Sequence, residues 1–177
     1  MNVGKVNLTK IGAACLFVNG IILLFYALLV PAFVRGTHWL ITLVAILFLV
    51  AIPTIYHSIR RAHEVAAKVV AVLFAFGMIV IIASDLSFTL SFVTRFSHDL
   101  AYALGNAVFV IGVLILGLIT LKGTVLYKWV AYLSIITGIV GLATYLPLPS
   151  SLLSTFALLL LGLWSLALGF NIHKLSK

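Results

Sequence analysis

Hydrophobic residues run through this chain in long unbroken stretches rather than in the alternating or half-polar patterns of a soluble domain. Six stretches are long enough, or nearly so, to cross a bilayer as a helix: Ile11–Val34, Trp39–Tyr56, Val69–Phe92, Leu100–Leu121, Val125–Leu146 and Leu152–Phe170. A span needs about 20 residues of helix, and only the second and last stretches fall short of that. Ordinary turn chemistry separates them. Pro31 and Gly36 close the first, Gly123 divides the fourth from the fifth, and Pro147, Pro149, Ser150 and Ser151 divide the last two. The connections are short, so the pattern predicts an all-α polytopic bundle of six spans in three antiparallel hairpins, filling residues 1–177 as a single domain. The N-terminal stretch is long enough to span and lacks a small-residue cleavage site before Pro31, so it reads as a helix and not as a cleaved signal peptide.

Composition agrees. Of 177 residues, 64% are hydrophobic and 8% are charged, whereas a soluble domain carries about a quarter charged residues. So few charges cannot cover a water-facing surface, which makes lipid the solvent. The net charge of +8 does not indicate nucleic-acid binding, because the basic residues sit in ones and twos between apolar runs. Their distribution is informative in another way. Lys5, Lys10, Arg60, Arg61, Lys68, Lys122, Lys128, Lys174 and Lys177 fall on one side of the predicted topology, and Arg35 and Arg95 on the other. Positive charge is retained in the cytoplasm, so both termini are expected there, which in turn requires an even number of spans. The expected location is a prokaryotic inner membrane.

Small residues recur at four-residue spacing: Ala101 and Gly105, Ser134 and Gly138, Thr137 and Gly141, Ser165 and Gly169. In lipid, helices associate through close van der Waals contact, which such residues permit. They are read as packing within the chain, with a dimer face as the alternative. Cys15, the single cysteine, lies in the first apolar run and reads as a small buried side chain.

Candidate chemistry is sparse. Asp85 is the one acid inside an apolar stretch, and ionisable groups there are functional candidates by default. Two placements are open. Either Asp85 lies below the boundary of a long third helix, or that helix stops at Ala83 and Asp85 caps a short interfacial helix over Leu86–Val93. Arg35, His38, Arg95, His98 and Asp99 share its side of the topology, as do Tyr26, Tyr102 and Tyr145. The expectation is a pocket lined by Asp85, Arg95 and those tyrosines, or a plain ion pair of Asp85 with Arg95 or Arg35, with His98 a further candidate. Asn19 and Asn106 are amides within spans, read as interhelical hydrogen-bonding groups, with ligand contact as the alternative. Trp39, Trp129 and Trp164 read as an aromatic belt, with Trp164 deeper than the others. The five histidines lie outside the middles of the spans and lack metal-ligand spacing, so no haem, metal or other cofactor is expected. Phosphate-loop, nucleophile-elbow and zinc-protease motifs are likewise missing, which leans against an enzyme.

Three segments, Ile55-Tyr-His-Ser-Ile-Arg-Arg61, Leu104-Gly-Asn-Ala-Val-Phe-Val-Ile-Gly-Val-Leu-Ile-Leu-Gly117 and Leu163-Trp-Ser-Leu-Ala-Leu-Gly169, resemble a group of small six-helix prokaryotic membrane proteins classed as a domain of unknown function. The resemblance implies a compact six-helix bundle and assigns no activity or functional residue. Three functions fit what precedes, in this order: a structural or accessory subunit of a larger membrane complex; a small transporter or ligand- or lipid-binding bundle with its site near Asp85; and a lipid-modifying or redox enzyme embedded in the membrane. The partners expected are membrane lipids and, for the first reading, other membrane proteins.

Overall fold

The computed structural model describes residues 3–29, 38–60, 62–122, 126–146 and 151–175. It contains six α-helices: α1 (Val3–Leu29), α2 (His38–Ile59), α3 (Glu64–Thr89), α4 (Arg95–Lys122), α5 (Lys128–Ala143) and α6 (Ser151–Leu175). No strand occurs among the described residues. All but α5 are long and apolar enough to cross a membrane, so the fold is that of a multi-pass membrane protein. In hydrocarbon every backbone N–H and C=O must find its partner within the segment, and the helix is the way a single segment achieves this. At 16 residues, α5 is about 24 Å long, shorter than the expected stretch 125–146.

The helices form a closed ring. Each packs on the next, and α6 returns to pack along α1 as extensively as α3 packs along α4. Glycines set the closest approaches. A Cβ on Gly77 of α3 would stand 2.7 Å from the Gly105 carbonyl of α4, and one on Gly105 would stand 2.8 Å from the Gly77 carbonyl. On the α1–α6 seam, a Cβ on Gly20 would meet the Gly162 carbonyl at 2.8 Å. Gly138 packs on Leu114, Gly141 on Val110 and Gly169 on the Ala13 carbonyl, so the small-residue pairs read from the sequence work within the chain.

The interior of the ring is filled by aromatics from four helices. Phe48 (α2) lies edge-on to Phe74 (α3) at 5.2 Å and to Phe109 (α4) at 4.9 Å, and stacks on Trp164 (α6) at 5.8 Å. Edge-to-face and offset pairs at these distances are favourable beyond their burial. Trp164 is fully buried and its Nε1 donates to the Ser134 hydroxyl of α5 at 2.7 Å, so a fifth helix is tied to the plug. This corrects the aromatic-belt reading for Trp164. Trp39 and Trp129, exposed near helix starts, fit it.

The α3–α4 turn fixes the register of that hairpin. Ser91 has φ 60°, and the Phe92 and Ser91 N–H groups return to the Ser87 and Phe88 carbonyls at 2.9 and 3.0 Å. This is a Schellman closure with serine where glycine is usual. Thr94 then caps α4, its Oγ1 accepting from the Ser97 N–H at 3.3 Å. α4 thus begins at Arg95, a full turn earlier than Leu100. Asp85 sits in the last turn of α3 and is not the cap of a separate interfacial helix.

Candidate functional site

Both halves of the α3–α4 hairpin carry an inward stripe at three- and four-residue spacing. On α3 it comprises Ala67, Val70, Phe74, Met78, Ile81 and Asp85, all buried. On α4 it comprises His98, Gly105, Phe109, Val113, Leu116 and Thr120, also buried. Each stripe is chiefly apolar until its end near the turn, where the two end on Asp85 and His98. The residues face each other because the early start of α4 carries its interior face one turn further.

Asp85 is 2% exposed and His98 is 5% exposed. His98 Nε2 lies 3.0 Å from Asp85 Oδ1, and His98 Nδ1 lies 3.0 Å from Asp99 Oδ1. The second oxygen of Asp85 accepts a hydrogen bond from the Thr42 hydroxyl of α2 at 3.0 Å. Ser84 Oγ donates to the His98 carbonyl at 3.0 Å, and Thr89 Oγ1 donates to the Asp85 carbonyl at 2.8 Å. The imidazole is flanked by Phe88, with ring centroids 4.7 Å apart, and by Tyr102 at 5.9 Å in a stacked arrangement. Tyr102 has Asp85, Tyr26 and Tyr145 as titratable neighbours, and Asn106 neighbours Tyr145. One end of the ring therefore gathers polar groups from α1, α2, α3, α4 and the segment after α5.

The ion pair expected between Asp85 and Arg95 is not formed. Arg95 is exposed and reaches Asp99 at 3.9 Å, because position 95 opens α4 on the face turned away from α3. Arg35 lies outside the described residues. Both acids near this end are thus engaged with His98, and the third acid of the chain, Glu64, pairs with Lys68 at 2.8 Å near the opposite end. No group of three or more His, Cys, Asp or Glu residues suited to a metal ion occurs among the described residues.

Asn19 behaves differently from Asn106. It is 1% exposed, its Oδ1 has no hydrogen-bond partner in the protein, and it borders a cavity of about 20 Å³ together with Ser165, Val44, Phe48, Met78 and Trp164. That is room for one water-sized molecule. Ser165 Oγ itself donates to the Leu16 carbonyl at 2.9 Å. The cavity lies on the Asp85 side of the aromatic plug, seven residues or about 10 Å of helix below Asp85 along α3.

Thr42 is the member of the site that sequence reasoning missed, whereas His98 was among its candidates without being named as the partner of Asp85. His98 carried a usable signal, since the α4 stripe extended from Gly105 by two turns lands on it and Thr94 marks the start. Thr42 carried none, being one of many hydroxyls in apolar helices.

In comparison with known proteins, no family model matches the chain, and neither a curated protein nor a solved structure is significantly similar to it.

Proposed function

We propose that the chain is an integral membrane protein crossing a prokaryotic inner membrane six times, with both termini cytoplasmic, and that it is a binding bundle whose site opens outward around Asp85. The supporting observation is the treatment of Asp85. A carboxylate held at 2% exposure is costly in hydrocarbon, and two neighbouring helices contribute groups to hold it, Thr42 of α2 and His98 of α4. The rest of the ring needs no such arrangement, since apolar packing and close glycine crossings already join its helices.

The surface supports a binding bundle over an accessory subunit. Exposed residues are apolar on every helix, among them Phe25, Ile46, Phe76, Leu104, Ile139 and Leu163, which suits lipid all round rather than one face reserved for a protein partner. The charge bias of nine basic residues against two supports the orientation. The six-helix ring is also the architecture that the resemblance to small prokaryotic membrane proteins implies.

Two experiments test this. In a Cys15→Ala background, a cysteine at Phe92 should react with an impermeant maleimide on intact cells, and one at Arg60 should react only after lysis. Native mass spectrometry of protein released gently from its own membrane should show a reproducible small adduct that is lost from Asp85→Asn. Stoichiometric protein partners, with no adduct in either form, would return the accessory-subunit reading.

A further inference from the structure

The hydrogen count at His98 bears on the protonation of the Asp85 site. Each of the two imidazole nitrogens stands 3.0 Å from a carboxylate oxygen, and each such contact requires one hydrogen between the heavy atoms. A neutral imidazole carries a single N–H, and an ionised carboxylate carries none. With both acids ionised and the ring neutral, one contact would set lone pair against lone pair. A second hydrogen is therefore needed, either as imidazolium or as a protonated carboxyl donating to the ring. We propose that Asp85, His98 and Asp99 form a proton-binding relay, loaded from the outer water through Asp99 and closed toward the inner side. This rests on the reading of Asp85 as an outward-opening site and adds a proton, distinct from the adduct expected there, to what that site takes up.

The geometry gives the relay a direction. Asp99 is 64% exposed, His98 is 6% and Asp85 is 2% exposed by side chain, so the path runs from water into the bundle within two contacts. A proton arriving at Asp99 passes to Nδ1, and the resulting imidazolium donates through Nδ1–H to Asp99 and through Nε2–H to Asp85 Oδ1; no bond other than N–H and O–H changes. Below Asp85 the inward stripe of α3 is apolar, through Ile81, Met78 and Phe74, and the Phe48, Phe74, Phe109 and Trp164 rings seal the ring of helices. The proton leaves by the way it came, which makes the device a sensor of outer pH rather than a conduit. Its readout is packing, because Asp85 also holds Thr42 of α2.

Among the described residues, these groups face the relay. α2 contributes Thr42, α3 contributes Asp85, and α4 contributes Asp99, Tyr102 and, through Asp99, Arg95. Tyr26 of α1 and Tyr145 after α5 neighbour Tyr102. The titratable residues of α6, His173 and Lys174, lie at its opposite end.

The test uses Asp99→Asn. Its amide N–H can donate to Nδ1, supplying the missing hydrogen without a proton from solution, while a neutral ring still donates Nε2–H to Asp85. Position 99 is exposed, so the variant should fold. The full chain in lipid nanodiscs is followed by thermal unfolding from about pH 5 to about pH 9. The wild type should lose roughly 5 °C of midpoint as pH rises through the loss of the second proton, the size expected for one charged hydrogen bond in a chain of this length. Asp99→Asn should be flat over the same step, with the other histidines contributing equally to both curves. Nitrogen-15 imidazole spectra should show His98 gaining a second N–H in the wild type alone. A wild-type ring that keeps one N–H throughout, or identical pH profiles for the two proteins, would overturn the relay while leaving the adduct measurement to judge the binding-bundle reading. Proton flux into pyranine-loaded proteoliposomes that depends on Asp85 would overturn the closed inner end.

Discussion

A double-mutant cycle on Asp85 and His98 measures whether the two are one unit. In His98→Leu, Asp85 stays buried with Thr42 as its remaining contact among those described above, and removing one partner of a buried pair costs about 3–5 kcal/mol. The exposed contact to Asp99 adds little, since solvent screens it. In Asp85→Leu, His98 can become neutral and keep one hydrogen bond to Asp99, so the loss is smaller, about 1–3 kcal/mol. In the double variant no charge is left buried at this position and two leucines fill the space between α3 and α4. Replacement of a buried pair by apolar residues of similar size is often neutral, so the double variant should be at least as stable as Asp85→Leu. The coupling is then about 3 kcal/mol or more. Reversible unfolding in mixed lipid and detergent micelles, read by the emission of Trp164 with Trp39 and Trp129 changed to Phe throughout, supplies all four corners. Losses that add to within about 0.5 kcal/mol would show that Asp85 and His98 act separately, and the argument from shared burial would fail.

Two further outcomes follow from the packing. Gly77→Val should destabilise the bundle by about 1–3 kcal/mol, because the added carbons meet the Gly105 carbonyl and Phe109 backbone, which cannot swing aside as a side chain can; unfolding of this variant at wild-type denaturant strength would contradict the crossing. Asn19→Leu should be neutral or stabilising by up to about 1–3 kcal/mol, since it replaces a buried carbonyl oxygen that has no partner in the protein. A clear loss of stability in the same unfolding assay would mean that Asn19 holds something the apolar side chain cannot.

Much of the architecture was legible because lipid imposes it. Backbone groups that cannot reach water force helices, and the length of each apolar run sets where helices lie, so the hairpins could be read directly. The small residues at four-residue spacing announced close crossings, and Asp85 announced itself by being an acid in hydrocarbon. The ends of helices were less legible. The Schellman closure at Ser91 uses a residue that does not advertise a positive φ, and the Thr94 cap lay beneath a stretch that hydropathy alone assigns to a connection. That one missed turn left open which candidate meets Asp85, since rotating the start of α4 by five residues decides which side chain of Arg95, His98 and Asp99 points inward.

The sequence by itself determined the solvent, the secondary structure and the charge asymmetry, because each follows from the chemistry of consecutive residues. Tertiary structure alone decided the partners. Charge would favour Arg95 for Asp85, but the Gly77–Gly105 crossing fixes the rotation and height of α3 against α4, and at that register the imidazole meets the carboxylate. Thr42 reaches the same carboxylate because α2 lies beside α3 in the ring, and Trp164 belongs to the core because α6 closes the ring against α1. Such pairings depend on how far each helix turns about its own axis, a quantity set by contacts between residues distant in the chain.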